Sequence, residues 1–145
     1  MISVFVIYNL IILLKYGFLN SISVSYYSLP VKWNWLFLAF CWLYAIPAIM
    51  LATDGFMFFS GGLICWVGIA SAFRQDKFTA EMHTRSALAA VVLSQLSILF
   101  CYQNYWLIGV MVVCSGGLFL IRNTFKQWMT VLEWIAFVTV AYTLK

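Results

Sequence analysis

The stretches ICWVGIA at residues 64–70 and ALAAVVL at residues 87–93 decide the fold. Both are continuously apolar, with no alternation that would give a strand one wet and one dry face. A membrane barrel needs apolar and polar residues to alternate over about ten positions, so these stretches point to helices. They are typical of the chain. Of its 145 residues 66% are hydrophobic, 19% aromatic and 8% charged, and the mean hydropathy is +1.01. A water-soluble domain carries about 45–50% apolar and about 25% charged residues. The shortage of charge excludes an ordinary soluble globule, and the hydrophobicity excludes disorder. Four cysteines are too few for a disulfide scaffold. The sequence reads as a single integral membrane domain over 1–145, an all-α polytopic transmembrane bundle.

A helix needs about 20 mostly apolar residues to cross roughly 30 Å of hydrocarbon. Breaks at polar and charged clusters divide the chain into six spans, at about 1–19, 33–52, 55–73, 85–102, 105–121 and 128–144. The first has no basic region ahead of it and no small-residue cleavage site, so it reads as a retained helix and not as a signal peptide. Lys15 lies within it and is expected to snorkel to the headgroups. The turns TDG at 53–55 and QN at 103–104 are short enough to force antiparallel neighbours, giving three hairpins. The segments NSISVSYYSLPV at 20–31 and RQDKFTAEMHTR at 74–85 carry most of the polar chemistry.

Basic residues set membrane orientation through their excess in cytoplasmic loops. With six spans, Lys15, Lys32, Arg74, Lys77, Arg85, Arg122 and Lys126 share one face, and Lys145 is left on the other, so seven of the eight Lys and Arg lie together. That face is expected to be cytoplasmic, with both termini on the far side of a bacterial inner membrane. Anionic lipid next to the basic face accounts for the net charge of +4, and no nucleic-acid partner is needed. The expected partners are the bilayer itself and a second copy or another membrane protein.

Small residues let membrane helices approach closely. Gly61, Gly62, Cys65, Gly68 and Ala72 in the third span, and Ser86, Ala90 and Ser94 in the fourth, are expected to mark helix contacts. Gly109, Gly116 and Gly117 carry the same expectation for the fifth. An internal echo links FSGGL at 59–63 with CSGGL at 114–118. Pro47 removes one backbone donor from the second span and is expected to kink it.

Glu133 is the first candidate for a functional side chain, because it sits inside the last span between Leu132 and Trp134. An acidic group within a span is costly and usually faces the protein interior. It is expected to bind a proton, to bond Gln95 in the fourth span, or to meet Arg85; the alternative is a structural carboxylate. His83 is the only histidine, in EMHTR at the cytoplasmic start of the fourth span. It reads as a proton acceptor or as a polar interfacial residue. One histidine cannot build a multi-histidine zinc site, and Cys41, Cys65, Cys101 and Cys114 stand in different spans without a paired motif, so no metal and no cofactor are expected.

Asp54 lies in the turn between the second and third spans, where a carboxylate suits capping of the following helix. The six-span arrangement puts it across the membrane from His83. SISVSYYS at 21–28 alternates hydroxyl and apolar groups. An extended or interfacial segment there would set Ser21, Ser23 and Ser25 on one side. Tyr26, Tyr27, Trp33 and Trp35 fit an interfacial aromatic belt. No GxSxG or comparable nucleophile motif is present.

The serine segment after the first span, Asp54 at a span boundary and HTRSA at 83–87 together resemble small multipass proteins of the Frag/DRAM type. They also resemble the CREST superfamily of membrane hydrolases, and the chain looks like small membrane proteins of Bacteroidetes and their phages. The CREST resemblance implies a metal-dependent site with Ser23 or Ser25, Asp54 and His83 in the carried-over positions. The chain departs from that pattern, with Ser86 in place of a glycine and Glu133 where two further histidines belong. The residues favour a non-enzymatic membrane protein acting by helix association or membrane modulation. A small transporter or channel using Glu133 and Gln95 is the alternative, and a degenerate CREST-like lipid hydrolase is the third reading.

Overall fold

The computed structural model describes residues 1–70 and 77–145. The expectations for Ala72, Arg74 and the side chain of Lys77 lie outside the described residues, as does the end of the third span. Seven α-helices and two 3-10 turns make up the described chain, with no strand among the described residues. They are α1 (Ile2–Tyr16), a 3-10 turn η1 (Ile22–Val24), the one-turn α2 (Ser25–Ser28), a second 3-10 turn η2 (Val31–Trp33), α3 (Trp35–Leu51), α4 (Gly55–Ala70), α5 (Lys77–Phe100), α6 (Tyr105–Ile121) and α7 (Trp128–Thr143). The all-helical class read from the continuous apolar runs is thus present. Two helical stretches, Val31–Leu51 and Ala80–Phe100, are long and apolar enough to cross a membrane; Ile2–Tyr16, Gly55–Ile69, Tyr105–Ile121 and Trp128–Thr143 are shorter apolar helices.

Local chemistry explains where the boundaries differ from expectation. α1 stops at Tyr16, short of Leu19, because Gly17 takes a φ of 76° and its N–H closes on the Leu13 carbonyl. Glycine adopts that left-handed backbone without steric cost. α5 begins at Lys77 and not near Arg85. Ala80, Glu81 and Met82 are strong helix formers, and Arg85 pairs with Glu81 one turn earlier on an exposed face. The polar stretch that looked like a loop therefore carries the first turns of a helix, and His83 lies inside it. Residues 22–28 are helical too, where the alternating pattern suggested an extended segment. Pro47 lies within α3, which continues to Leu51.

The long helices alternate in direction. α1, α3, α4, α5 and α7 form a ring in which each packs on the next, and α6 rests outside it against α5 and α7. α4 lies between α3 and α5 in the tightest packing of the molecule. Two glycines allow this approach: a Cβ on Gly68 would stand 2.9 Å from the Cys41 Cβ, and one on Gly61 would stand 2.5 Å from Ile49 Cγ1. Gly62, Gly109, Gly116 and Gly117 have nothing within 4 Å of that position, so the close contacts expected at them are absent. The two SGG triplets thus differ in use, Gly61 being wedged against α3 and Gly116 open.

Polar side chains stitch the ring together. Ser60 donates to the Ala90 carbonyl at 2.7 Å, joining α4 to α5, and Gln95 donates to Thr139 at 3.2 Å, joining α5 to α7. Tyr44 donates to the Phe137 carbonyl, joining α3 to α7. Trp134 donates to Asn9 at 2.8 Å, joining α7 to α1. The core between these bonds is aromatic, with Tyr8 stacked on Phe40 at 4.3 Å and Phe137 packed edge-on to Tyr44 at 4.6 Å between centroids.

Candidate functional site

Segment 19–28 follows Gly17, packs on α3 and is hydrogen-bonded mostly to α7. Thr130 donates to the Leu19 carbonyl at 2.6 Å. One turn further along α7, Glu133 receives the Ile22 N–H at 2.6 Å and the Ser21 hydroxyl at 3.0 Å. Ile22 opens η1, so its N–H is among those that a helix start leaves without an internal acceptor. Glu133 supplies that acceptor from a distant part of the chain and serves as a cap. Ser21 also accepts the Ser23 N–H at 3.2 Å and lies 2.9 Å from the Ser23 hydroxyl. Ser25 is fully buried, bonds the Tyr8 hydroxyl of α1 and donates to the Ile22 carbonyl. Ser21, Ser23 and Ser25 therefore have separate partners and do not form one row.

A cavity of about 70 Å³ lies beside this segment. It is walled by α3, α4, α5, α7 and η1, and its lining includes Ser23, His83, Ser94 and Glu133 among apolar side chains. His83 is buried on α5. The rings of Phe37, Phe40, Tyr44 and Phe137 form much of the remaining wall. Three candidates thus meet at one space: Glu133, His83 and Ser23. The alternation of the helices explains the meeting, because the end of α1 and the starts of α5 and α7 share one end of the bundle.

Other candidates lie elsewhere. Gln95 does not line the cavity; it bonds Thr139 and Ser94, and its Oε1 is buried without a hydrogen-bond partner. The expected bond between Gln95 and Glu133 is replaced by the Thr139 contact. Arg85 is exposed and paired with Glu81, so it does not meet Glu133. Asp54 sits at the opposite end, where Oδ1 accepts the Met57 N–H at 3.0 Å and Oδ2 accepts the Ser97 hydroxyl at 2.7 Å. One carboxylate thus caps α4 and clamps it to α5. His83 and Ser97 are separated on α5 by fourteen residues, which at 1.5 Å per residue is about 21 Å. The Ser, Asp and His positions that the CREST resemblance implies are therefore not gathered. Among the described residues, no three His, Cys, Asp or Glu side chains stand close enough to hold a metal ion.

The role of Ile22 was outside the reach of sequence reasoning, because a backbone N–H leaves no mark in residue types. The aromatic wall was missed as well: Phe37, Phe40, Tyr44 and Phe137 look like ordinary apolar positions until the ring closes around them. Comparison with known proteins adds no relative, since no family model, no curated protein and no solved structure matches the chain.

Proposed function

We propose that the chain is a six-span integral protein of a bacterial inner membrane that works without covalent chemistry, by holding a small ligand inside its helix ring. The membrane part of this reading is supported by an inverted distribution of polarity. Leu14, Met50 and Leu120 are 79%, 80% and 83% exposed, while Ser25 and Ser97 are 0% exposed. Water would penalise that outer face, whereas hydrocarbon favours it and drives hydroxyls to bond between helices. The two long stretches have only 33% of their apolar windows buried, unlike the core helix of a soluble protein. The four helices of 15–17 residues cover about 22–26 Å at 1.5 Å per residue. Modest bilayer thinning accommodates that length. Lys15, Lys32, Arg122 and Lys126 lie at or beside helix ends, and Arg85 lies in the third turn of α5; this reading puts all five toward the cytoplasm.

The observation that carries the ligand-binding part is the meeting of Glu133, His83 and Ser23 at one apolar cavity. A largely apolar wall with a few polar residues is the composition of small-molecule sites, and about 70 Å³ confines the ligand to a few non-hydrogen atoms. A small transporter is the natural form of such a protein in a membrane. The test compares wild type with the cavity-filling variant Ala136→Leu, both in detergent micelles, across small apolar and amphiphilic compounds. At least one compound is expected to raise the thermal midpoint of wild type and leave that of the filled variant unmoved. Equal effects on both proteins, or none on either, contradict an interior site.

Helix association is a second reading, favoured by α6. That helix lies outside the ring, and Gly109, Gly116 and Gly117 along it are open. A second copy or another membrane protein is the partner this face would take.

A further inference from the structure

The connection between α1 and α3 is longer than its geometry requires. These helices pack against each other, yet residues 17–34 are spent in joining them. The antiparallel turns from α3 to α4 and from α5 to α6 take only residues 52–54 and 101–104. Connections beyond about 12–15 residues commonly serve as lids or binding loops. The surplus chain here lies on one end of the interior cavity. That cavity runs along α7 from Glu133 to Val140 and along α5 from His83 to Ser94, and η1 adds Ile22 and Ser23 to its wall. The bond from the Ile22 N–H to Glu133 sets η1 at the Glu133 end, where the basic residues gather.

This segment depends on its neighbours for its shape. η1 has three residues and α2 four, whereas isolated helices shorter than about 12–15 residues are marginal. Between Gly17 and Asn34 only Ile22, Ser25 and Leu29 are buried. Support comes from outside: Thr130 donates to the Leu19 carbonyl, Tyr8 bonds Ser25, and Glu133 gives one oxygen to Ser21 and the other to Ile22. Both oxygens of that carboxylate are thus engaged by the segment. Gly17, where the segment leaves α1 with a φ of 76°, belongs to the one residue type that moves freely between left- and right-handed backbone. Lids are drawn from parts of a fold with low local stability.

We propose that residues 18–29 form a lid on the interior cavity, hinged at Gly17 and latched by Glu133, and that its displacement opens the cavity toward the basic end of the bundle. The proposal rests on the interior-site reading and supplies its entrance.

Cys41 is a native reporter of such opening, since it lines the cavity from α3 and is 2% exposed. The full chain, with Cys65, Cys101 and Cys114 changed to alanine, is placed in phosphatidylglycerol nanodiscs and treated with a trimethylammonium-bearing methanethiolsulfonate. The fixed charge keeps this thiol reagent out of hydrocarbon, and intact mass follows its attachment. Glu133→Ala is expected to raise the labelling rate at least about tenfold. Thr130→Val keeps the shape of a residue that does not line this cavity. It is expected to raise the rate about three- to tenfold, the change that one lost hydrogen bond brings to an opening equilibrium, and it reads independently should Glu133→Ala fail to fold. Asp54→Ala, which loosens the opposite end, is expected to leave the rate unchanged. Labelling that neither lid variant accelerates, or that Asp54→Ala accelerates equally, overturns the lid. The interior site then still stands, because it is judged by the ligand-induced thermal shift and its loss in Ala136→Leu. Faster labelling of the lid variants without a thermal shift from any compound overturns the interior site alone.

Discussion

The Glu133 carboxylate accepts the Ile22 N–H at 2.6 Å across 111 positions of chain. This bond ties the start of α7 to the segment after α1. It gives an acidic residue inside an apolar helix a structural task as well as a place in the cavity wall. Glu133→Ala leaves that N–H and the Ser21 hydroxyl without their acceptor, at a cost of about 1–3 kcal/mol for a buried unsatisfied group. Amide hydrogen exchange in micelles checks it. Exchange at Ile22 is expected to accelerate at least tenfold while exchange at Met57, which Asp54 protects at the other end, stays as in wild type.

Glycines on two different helices are expected to respond in opposite ways. Gly68→Ala sets a Cβ 2.9 Å from the Cys41 Cβ, neither of which can swing aside, so α3 and α4 must separate. Overpacking of this kind costs about 1–3 kcal/mol. Gly116→Ala meets nothing within 4 Å and replaces a poor helix former with the best, a gain of up to about 1 kcal/mol. Thermal midpoints in detergent are expected to fall for the first and to hold or rise for the second. A fall for Gly116→Ala would reveal a close partner on α6.

At the far end, Asp54 joins two tasks that substitution can separate. Asp54→Ala removes the cap on Met57 and the acceptor of Ser97, and is expected to cost roughly 1–3 kcal/mol. Asp54→Asn keeps a side-chain oxygen for Met57 and is expected to cost less. A double-mutant cycle with Ser97→Ala should return a coupling of about 0.5–3 kcal/mol, as befits directly bonded residues. A coupling of zero would show that the 2.7 Å contact contributes nothing.

Much of the helical layout was legible in the residues. Continuous apolar runs located the six long helices, and the turns at 53–55 and 103–104 marked their sharpest connections. What escaped was set by tertiary partners. The helical start of α5 is polar, and its Glu81 to Arg85 pair resembles loop chemistry when only hydropathy is weighed. Segment 22–28 alternates like a strand, yet the Glu133 cap and the Tyr8 contact with Ser25 hold it in helical turns. The glycines show the same limit: a small residue states that a neighbour can come close and leaves open whether one does. For the site, Glu133 and His83 stood out by rarity, whereas their meeting with Ser23 and four aromatic rings depends on how the ring of helices closes.

The central claim, a six-helix chain threaded through a membrane with its basic end inside, is tested most directly by cysteine labelling in spheroplasts. Cys101 is exposed at the turn after α5, and Asn123 is exposed between α6 and α7 at the opposite end. Cys41, Cys65 and Cys114 are changed to alanine, and Cys101 is compared with a Cys101→Ala, Asn123→Cys variant. A membrane-impermeant maleimide is expected to label Cys101 in intact spheroplasts and to label position 123 only after permeabilisation. Equal labelling of both positions before permeabilisation, or labelling of position 123 alone, contradicts the account.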